Sequence, residues 1–171
     1  MTFSIRRATI EDATSISRVQ AESWRTTYRT IVPDAYLDAM DVVAGAERWA
    51  EAIRGAQANL LVAEDSCGIF GFAAGGKLRE AIDGYDGELY AIYLLREQQK
   101  QSAGRLLVEE IVKELRAAQL SSMIVWVLAQ NPAVEFYKRL GAVPVSEKMI
   151  EIGGRPLHDL ALGWPDLSAS F

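Results

Sequence analysis

The stretch that decides the fold is GELYAIYLLREQQKQSAGRLLVEEIVKEL, residues 87–115. Its first nine residues are nearly all apolar, which predicts a strand that is covered on both faces. Leu107, Ile111 and Leu115 then recur every four residues, which predicts an amphipathic helix that begins near Ser102. The segment between the two elements is polar, short-sided and poor in acid. The stretch therefore predicts a strand, a tight loop and a helix.

This loop has features of an anion site. A helix that begins near Ser102 leaves its first backbone amides without partners inside the helix. They point into the loop, where the helix dipole adds roughly half a positive charge, and Lys100 and Arg105 add full charges. A phosphate or pyrophosphate is a natural ligand of such a junction. A solvated turn is the alternative, because every strand-to-helix junction has free amides.

A second motif, LAQNPAVEFYKRLGA, occupies residues 128–142. Asn131 and Pro132 predict a helix start, because Asn caps the first turn and Pro needs no amide hydrogen there. Tyr137 lies on the apolar face of this helix, and Gly141 is expected to end it in a left-handed conformation. The motif therefore predicts a short, well-capped helix.

The rest of the chain completes the predicted fold. Apolar periodicity indicates a strand at 3–9, helices at 11–28, 33–40 and 42–55, strands at 58–66 and 69–78, a strand at 121–129, and strands at 142–152 and 155–164. We therefore expect one α/β (α+β) domain over residues 1–171. It should contain a mixed, mostly antiparallel seven-stranded sheet with helices on both faces.

The composition narrows the class of protein. Half of the 171 residues are apolar, which supplies a sizeable core. Cys67 is the only cysteine, so no internal disulfide can form and a zinc cluster is excluded. No apolar run approaches the ~18 residues of a membrane span, and the first residues do not resemble a secretory signal. These features favour a cytoplasmic protein with no membrane contact and no metal.

The charge argues against nucleic acid as a partner. Eighteen basic and 23 acidic residues give a net charge of −5, and no basic stripe is visible. An acidic surface would sit more easily beside a cationic substrate, although an ordinary acidic surface explains the same charge.

The second motif resembles the last characteristic motif of the GNAT acetyltransferase superfamily, in which an Asn caps a helix that carries F-Y-x-x-x-G. Asn131, Phe136, Tyr137 and Gly141 stand at those positions. The strand ELYAIYLL resembles the central strand of the family. The N-terminal segment SWRTTYRTIVPDAYLDAM is similar to many bacterial members, so the resemblance covers nearly the whole chain.

The anion loop is similar to the acetyl-CoA motif of the family, Q/R-x-x-G-x-G/A. Gln99, Ser102 and Gly104 fall on its three positions. Ser102 departs from the usual glycine, Arg96 from a frequent proline, and Ala142 from a bulky apolar residue. Glycine permits positive φ and close backbone approach, so the serine is the departure that matters most. Its hydroxyl can donate to a phosphate or cap the helix.

The resemblance implies an enzyme that transfers acetyl from acetyl-CoA to a primary amine of a small molecule or peptide, by direct attack in a ternary complex. The central strand would carry a bulge and splay from its neighbour, which leaves free amides and carbonyls to line the pantetheine arm. The amide of Leu94 would donate to the thioester oxygen. The loop would hold the pyrophosphate. The cofactor-binding residues implied in this way are Ile92, Tyr93, Leu94, Gln99, Lys100, Gln101, Ser102, Ala103, Gly104, Arg105 and Asn131.

Two residues are candidates for proton transfer. Glu88, at the start of the central strand, is the candidate base, acting through water, because the attacking amine must be neutral. Its alternative is a strand-end glutamate in solvent. Tyr137 is the candidate acid that protonates the departing thiolate. Its alternative is an aromatic residue at the edge of the core.

The acceptor pocket is expected near the N-terminal helices. Trp24 and Tyr28 lie one helical turn apart and could form its aromatic wall, or they could belong to the core. Asp83 and Asp86 could attract a cationic amine, or they could form a turn. His158, the only histidine, is not expected to be catalytic.

A second class of function is also compatible with the sequence. The serine at 102 and the absence of proline at 96 fit a degenerate, non-catalytic module that binds CoA and serves in regulation or assembly. A homodimer through a terminal sheet edge fits either function.

Overall fold

The computed structural model describes residues 3–56, 58–99 and 102–171. In this part of the chain, seven strands form one sheet in the order β1-β2-β3-β4-β5-β7-β6. All neighbours are antiparallel except β4 and β5, which run parallel. The predicted sheet is therefore confirmed. Its strands are β1 (Ser4–Arg7), β2 (Asn59–Asp65), β3 (Gly68–Lys77), β4 (Gly87–Leu94), β5 (Met123–Leu128), β6 (Val143–Ile152) and β7 (Arg155–Trp164).

Helices cover both faces of the sheet. They are α1 (Ala13–Thr27), α2 (Asp34–Asp38), α3 (Val42–Gly55), α4 (Ala103–Ala117), α5 (Ala133–Arg139) and α6 (Leu167–Ser170). Ile16 and Val19 of α1 pack with Phe72 of β3 on one side, which we call the α1 face. Leu107 and Ile111 of α4 are buried on the opposite side, the α4 face. The apolar stripe at every third or fourth residue explains why each helix lies against the sheet.

The element boundaries differ from the predicted ones in a few places. The predicted helix at 11–28 divides into a 3-10 turn at Ile10–Asp12 and α1, because the turn is closed by a capping box between Thr9 and Asp12. Helix α6 was not predicted, since four residues are too few to show a helical period. No helix within the described ranges is long and apolar enough to cross a membrane.

Candidate active site

The two parallel strands at the centre of the sheet separate. β4 and β5 pair over three residues only, ending at Leu89 and Val125. β4 then continues to Leu94 and β5 to Leu128 without pairing with each other. This separation leaves an opening, the β4–β5 gap, which widens toward the carboxyl ends of both strands.

A bulge in β4 lies next to the start of the gap. Ala91 pairs with Ala74 on β3 and Leu89 pairs with Gly75, so Tyr90 is an extra residue without a partner. Such an insertion bends a strand and increases its twist. The bulge therefore offers a local reason why β4 turns away from β5 directly after Leu89.

The backbone of β4 presents polar groups to the gap. The amide of Leu95 donates to the carbonyl of Phe70 on β3 at 2.9 Å, so the backbone of Leu95 faces β3. Because backbone groups alternate along a strand, those of Leu94 and Ile92 face the other way, into the gap. The carbonyl of Leu94 accepts a hydrogen bond from Gln99 Nε2 at 3.1 Å, in agreement with this direction. The amides of Ile92 and Leu94 therefore have no strand partner on the gap side.

The loop after β4 ends in an unusual backbone conformation. Ser102, the residue before α4, has φ +69° and ψ −17°, which is left-handed. Its hydroxyl makes no capping hydrogen bond to the helix. Residues that carry a Cβ disfavour this backbone conformation, which costs them roughly 1–2 kcal/mol. The serine thus already has the backbone conformation that a glycine would adopt easily.

The first turn of α4 leaves amides available. Leu106 donates to the carbonyl of Ser102 at 3.0 Å, and this bond closes the first helical turn. The amides of Ala103, Gly104 and Arg105 precede it, so they point out of the helix end. The predicted helix start near Ser102 is confirmed. The predicted contributions of Lys100 and Gln101 lie outside the described residues.

Gly104 lies at the mouth of the gap. A Cβ added at this position would be 3.5 Å from Phe136 of α5 and 3.6 Å from Leu94 of β4, which are ordinary contacts. The end of α4 therefore stands between β4 and α5. Arg105 is exposed, and its guanidinium is paired with Glu109 at 2.7 Å.

Three tyrosines approach one another across the gap. Tyr137 of α5 is 5% exposed and packs edge-on against Trp164, with the ring centres 6.2 Å apart. Burial raises its pKa well above the usual range, and the nearby phenols of Tyr28 and Tyr93 raise it further. Tyr137 comes from the α4 face, whereas Tyr28 and Tyr93 come from elements on the α1 face. The three phenols therefore lie close enough to interact electrostatically, although they come from opposite sides of the sheet.

Asn131 joins the two sides of the gap. Its side-chain oxygen accepts from the amide of Ala133 at 2.9 Å, so Asn131 binds an amide at the start of α5. The helix begins at Ala133 with Pro132 at the N-cap position, one residue later than predicted. The side-chain nitrogen of Asn131 donates to the hydroxyl of Tyr28 at 2.8 Å. A carboxamide has two N–H donors, so one remains for another partner. The cap and the tyrosine contact together fix the orientation of this side chain.

Trp24 and Tyr28, the two residues predicted to line the acceptor pocket, contact each other at the end of α1. The ring of Trp24 lies 4.7 Å from Tyr28 and 6.5 Å from Tyr93, measured between ring centres. The indole nitrogen of Trp24 is buried without a hydrogen-bond partner, although it lies near the Tyr93 hydroxyl. Tyr28 also packs in an apolar cluster with Leu128 and Leu157. Trp24 and Tyr28 therefore belong to the core and also lie beside the gap.

Glu88 is held in an ion pair. It is 2% exposed, and its carboxylate accepts from the backbone amide of Arg79 at 3.1 Å and from Nε of Arg79 at 3.2 Å. Glu88 pairs with Ile124, where β4 and β5 are still joined. It precedes Leu94 by six residues, which is roughly 20 Å along a strand. A role as base therefore requires water molecules between Glu88 and the gap.

The remaining candidate residues have structural partners or lie at the surface. Asp86 accepts from the amides and hydroxyls of Ser121 and Ser122, which supports the interpretation as a turn former. His158 is exposed and lies 3.0 Å from Glu147. Within the described ranges, no group of three His, Cys, Asp or Glu side chains could hold a metal ion.

Two cavities lie near the gap but do not include it. The larger, about 350 Å³, adjoins the end of β5 and the hairpin of β6 and β7. It is lined by Ile31, Leu128, Ala129, Gln130, Met149, Pro156, Leu157 and His158. The smaller, about 180 Å³, lies between α1 and the residues after β4. Neither cavity is lined by Ile92, Leu94 or Tyr137.

Comparisons with known proteins identify the family that this chain matches. The model of the acetyltransferase (GNAT) family matches residues 18–142. An uncharacterized N-acetyltransferase of Bacillus subtilis, YuaI, is 44% identical over 168 residues, which cover 97% of this chain and 95% of that protein.

Solved structures share the fold at lower identity. PaiA N-acetyltransferase from Thermoplasma acidophilum, in complex with coenzyme A, has a TM-score of 0.73 at 23% identity and covers 95% of this chain and 98% of its own. YncA, a putative acetyltransferase from Salmonella typhimurium with acetyl-CoA, has a TM-score of 0.72 at 21% identity, with coverages of 98% and 95%. The chain therefore belongs to the GNAT acetyltransferase family and is an acetyl-CoA-dependent N-acetyltransferase.

Proposed function

We propose that the enzyme acetylates a primary amine of a small molecule or peptide by direct attack on acetyl-CoA in a ternary complex. The observation that carries this proposal is the β4–β5 gap, where the amides of Ile92 and Leu94 have no strand partner and the buried Tyr137 belongs to the apolar cluster against which both residues pack. An open strand edge can bind the amide-bearing pantetheine arm as a further strand would bind. A protonated phenol beside that edge supplies an acid for the leaving thiolate.

The cofactor is expected to lie along β4 with its pyrophosphate at α4. The amides of Ala103, Gly104 and Arg105 leave the helix end toward the loop, where the helix dipole favours an anion. The amide of Leu94 faces the gap and would donate to the thioester oxygen, on which negative charge develops. Asn131 retains one N–H donor for the pantetheine.

The transfer requires two proton movements. The neutral amine attacks the thioester carbon, a C–N bond forms, and the C–S bond breaks. The departing thiolate takes a proton from the hydroxyl of Tyr137, which burial keeps protonated. The proton lost by the amine needs an acceptor, and Glu88 is the candidate suggested by the sequence. Its pairing with Arg79 and its position before the gap mean that it would act through water.

Direct attack is favoured over a covalent acetyl-cysteine. Cys67 is the only cysteine and is exposed in the turn between β2 and β3. His158, the only histidine, lies on β7 beside Glu147 and cannot serve a cysteine in the turn between β2 and β3. A thiol without a base nearby is a poor nucleophile near neutral pH.

Thiol release with a panel of amines tests the proposal. The purified protein is mixed with acetyl-CoA and, in turn, with alkylamines, polyamines, amino-acid amides and short peptides. We expect release of free CoA thiol with at least one of these amines. Calorimetric titration with CoA is the control, because tight binding with no transfer to any amine would favour the non-catalytic module instead.

Location and assembly are separate proposals. The single exposed cysteine fits a reducing, cytoplasmic location. β6 is a terminal strand of the sheet and offers an edge for a homodimer. Sedimentation of the purified protein at several concentrations tests the dimer.

A further inference from the structure

Asp159 is a buried carboxylate without a partner. It lies on β7 and is 8% exposed. Within residues 3–56, 58–99 and 102–171, its side chain accepts no hydrogen bond and makes no ion pair. Buried carboxylates are almost always hydrogen-bonded or paired with a cation, because an isolated charge is costly to bury. An unpaired one therefore calls for an explanation.

Asp159 lies at the open end of the β4–β5 gap. It pairs across the sheet with Leu128, the last residue of β5. Alternation along β7 puts it on the same side as Leu157, which packs with Tyr28 on the α1 side of the sheet. Its charge helps to raise the pKa of Tyr28, although burial of that phenol is the larger cause. The register with Leu128 and this side of the strand therefore place the carboxylate near Tyr28, at the end of the sheet where β4 and β5 have separated.

The charged groups around Asp159 form no ion pair with it in the described part of the chain. Lys148, opposite it on β6, is paired with Glu80 at 2.7 Å and stacks over the ring of Trp126 at 4.0 Å. His158, on the same strand, points to the other face and lies against Glu147. Both side chains therefore already have other partners.

The carboxylate remains accessible to a ligand. In the described part of the chain, Trp24 Nε1 is the only side-chain polar atom that is both sealed from solvent and unpartnered. The oxygens of Asp159 lack partners but are not fully inaccessible to solvent, so a small part of the carboxylate is exposed. Burial raises the pKa of Asp159. The interactions of Asp159 with Lys148 and His158 lower this pKa, and its interaction with Glu80 raises it. A carboxylate with a raised pKa accepts a proton more readily.

We propose that Asp159, rather than Glu88, binds the protonated amine of the acceptor and takes its proton before attack. Glu88 is left to accept, through water, the second proton that the nitrogen loses as the amide forms. This inference rests on the proposed acetyl transfer and assigns the acceptor side of the same site. In the step, an N–H bond of the ammonium breaks and an O–H bond forms on Asp159. The result is a neutral amine and a neutral carboxyl group. The proton then returns to solvent after the transfer.

The acceptor class follows from this chemistry. An aliphatic amine is an ammonium ion near neutral pH, because its pKa is ~10. It needs both an anion to bind it and a base to deprotonate it, and Asp159 offers both. An arylamine is already neutral at the same pH and needs neither. The enzyme is therefore expected to prefer aliphatic amines, and this preference should depend on Asp159.

The test compares Asp159→Asn with Glu147→Gln. Both remove one negative charge, but Glu147 lies on β6 with its side chain on the opposite face and 67% exposed. With n-butylamine near neutral pH, we expect Asp159→Asn to lower kcat/KM by about 100-fold. The loss should shrink as the pH rises and the amine deprotonates itself. With aniline, the same variant should stay within about threefold of the wild type, as should Glu147→Gln with either amine.

Several outcomes would overturn the inference. An equal loss with butylamine and aniline would mean that Asp159 does not recognise the charged amine. A loss that recovers with pH in Glu88→Gln, but not in Asp159→Asn, would assign the base to Glu88.

Failure of the proposed function gives a different result, namely no turnover of any amine by the wild type. In that case, calorimetric titration of the CoA complex with n-butylammonium tests the ammonium site by itself. Binding that Asp159→Asn abolishes supports the ammonium site, and equal or absent binding in both proteins overturns it.

Discussion

Asn131 donates a hydrogen bond from its side-chain amide to the hydroxyl of Tyr28 at 2.8 Å, across 103 positions of sequence. The contact ties the end of α1 to the start of α5 beside the β4–β5 gap. It brings one residue from the α1 side within electrostatic reach of Tyr137 on the other side. The hydrogen bond therefore helps to set the width of the opening in which transfer is proposed.

The energy of this contact can be measured by a double-mutant cycle of Asn131→Ala and Tyr28→Phe. We expect a coupling of about 1 kcal/mol in the free energy of unfolding, because each single change leaves the other polar group without its partner. Asn131→Ser should restore about 1 kcal/mol relative to Asn131→Ala, since serine still caps α5 but is too short to reach Tyr28. Urea denaturation gives these values, and strictly additive single changes would contradict the coupling.

Ser102→Gly should stabilise the fold and change CoA affinity little. The left-handed backbone at Ser102 costs a residue with a Cβ about 1 kcal/mol, part of which is offset because glycine makes the unfolded chain more flexible. The net gain should be about 0.5 kcal/mol. Because the required backbone conformation is already present, the Kd for CoA should fall by less than about threefold.

The matched control for this change is Gln119→Gly. Gln119 follows α4 and has φ +63°, close to that of Ser102, but it lies at the far end of the helix from the loop. It should give a similar gain in thermal stability with no change in CoA binding. Tightening of CoA by tenfold or more in Ser102→Gly alone would show that serine obstructs the cofactor.

Gly104→Ala should raise the stability of α4 by no more than about 0.5 kcal/mol, because Gly104 is the second residue of the helix and the full preference of alanine over glycine applies to a helix interior. The added Cβ would make only ordinary contacts with Phe136 and Leu94. We expect CoA binding to stay within about threefold. Gly104→Val places a larger side chain at the same position. A fall in the CoA affinity of this variant without loss of thermal stability would indicate that the cofactor passes close to this backbone.

The sequence predicted the architecture because the buried elements have clear apolar periods. Leu107, Ile111 and Leu115 indicated α4, and all three are buried in the core as expected. The same periods carried no information on backbone irregularity. Tyr90 is an aromatic residue in an apolar strand, and nothing in its neighbours indicated that it forms the bulge beside the gap.

Polar side chains were predicted less well, because their partners lie far away in sequence. The sequence offers Glu88 as a base but gives no sign that the guanidinium of Arg79 holds its carboxylate across the β3–β4 turn. Asp159 lies outside the sequence motifs. It is the only acid in the apolar strand RPLHDLALGW, and an acid at a buried strand position is the signal that could have identified it.

Asp159→Asn should stabilise the protein at neutral pH. Burial raises the pKa of Asp159 above its usual 3.8, so the folded protein binds this proton more tightly than the unfolded chain does. The wild type therefore loses stability as the pH rises from below 3.8 through the raised value, and the loss is complete above it. Asparagine has no such titration, so the stability advantage of the variant should grow over that pH range and then level off.

Thermal denaturation of both proteins between acidic and neutral pH measures this difference. Lys148, Glu80, Tyr28 and His158 surround Asp159 and are the same in both proteins. The pH dependence of the difference therefore reports the charge of Asp159 together with its coupling to these four groups. Greater stability combined with lower activity is the pattern of a residue kept for function. A variant that is less stable at every pH would instead assign Asp159 a structural role.

Tyr137→Phe should lower kcat by about 100-fold while the Kd for CoA stays within about threefold. The hydroxyl makes no hydrogen bond within the described residues, so its removal should leave the packing against Trp164 intact. Because burial and the neighbouring phenols raise the pKa of Tyr137, the wild type should keep its acid protonated into the alkaline range. No loss of kcat from this group is therefore expected up to about pH 10.

The control is Tyr85→Phe, because burial also raises the pKa of Tyr85 but the residue lies in the β3–β4 loop against Gly163. It should leave kcat and CoA affinity unchanged. Thiol release gives kcat for both variants, and calorimetry gives the Kd for CoA. A parallel loss of turnover and cofactor affinity in Tyr137→Phe would mean that the phenol binds the cofactor. It would then not be the group that protonates the thiolate.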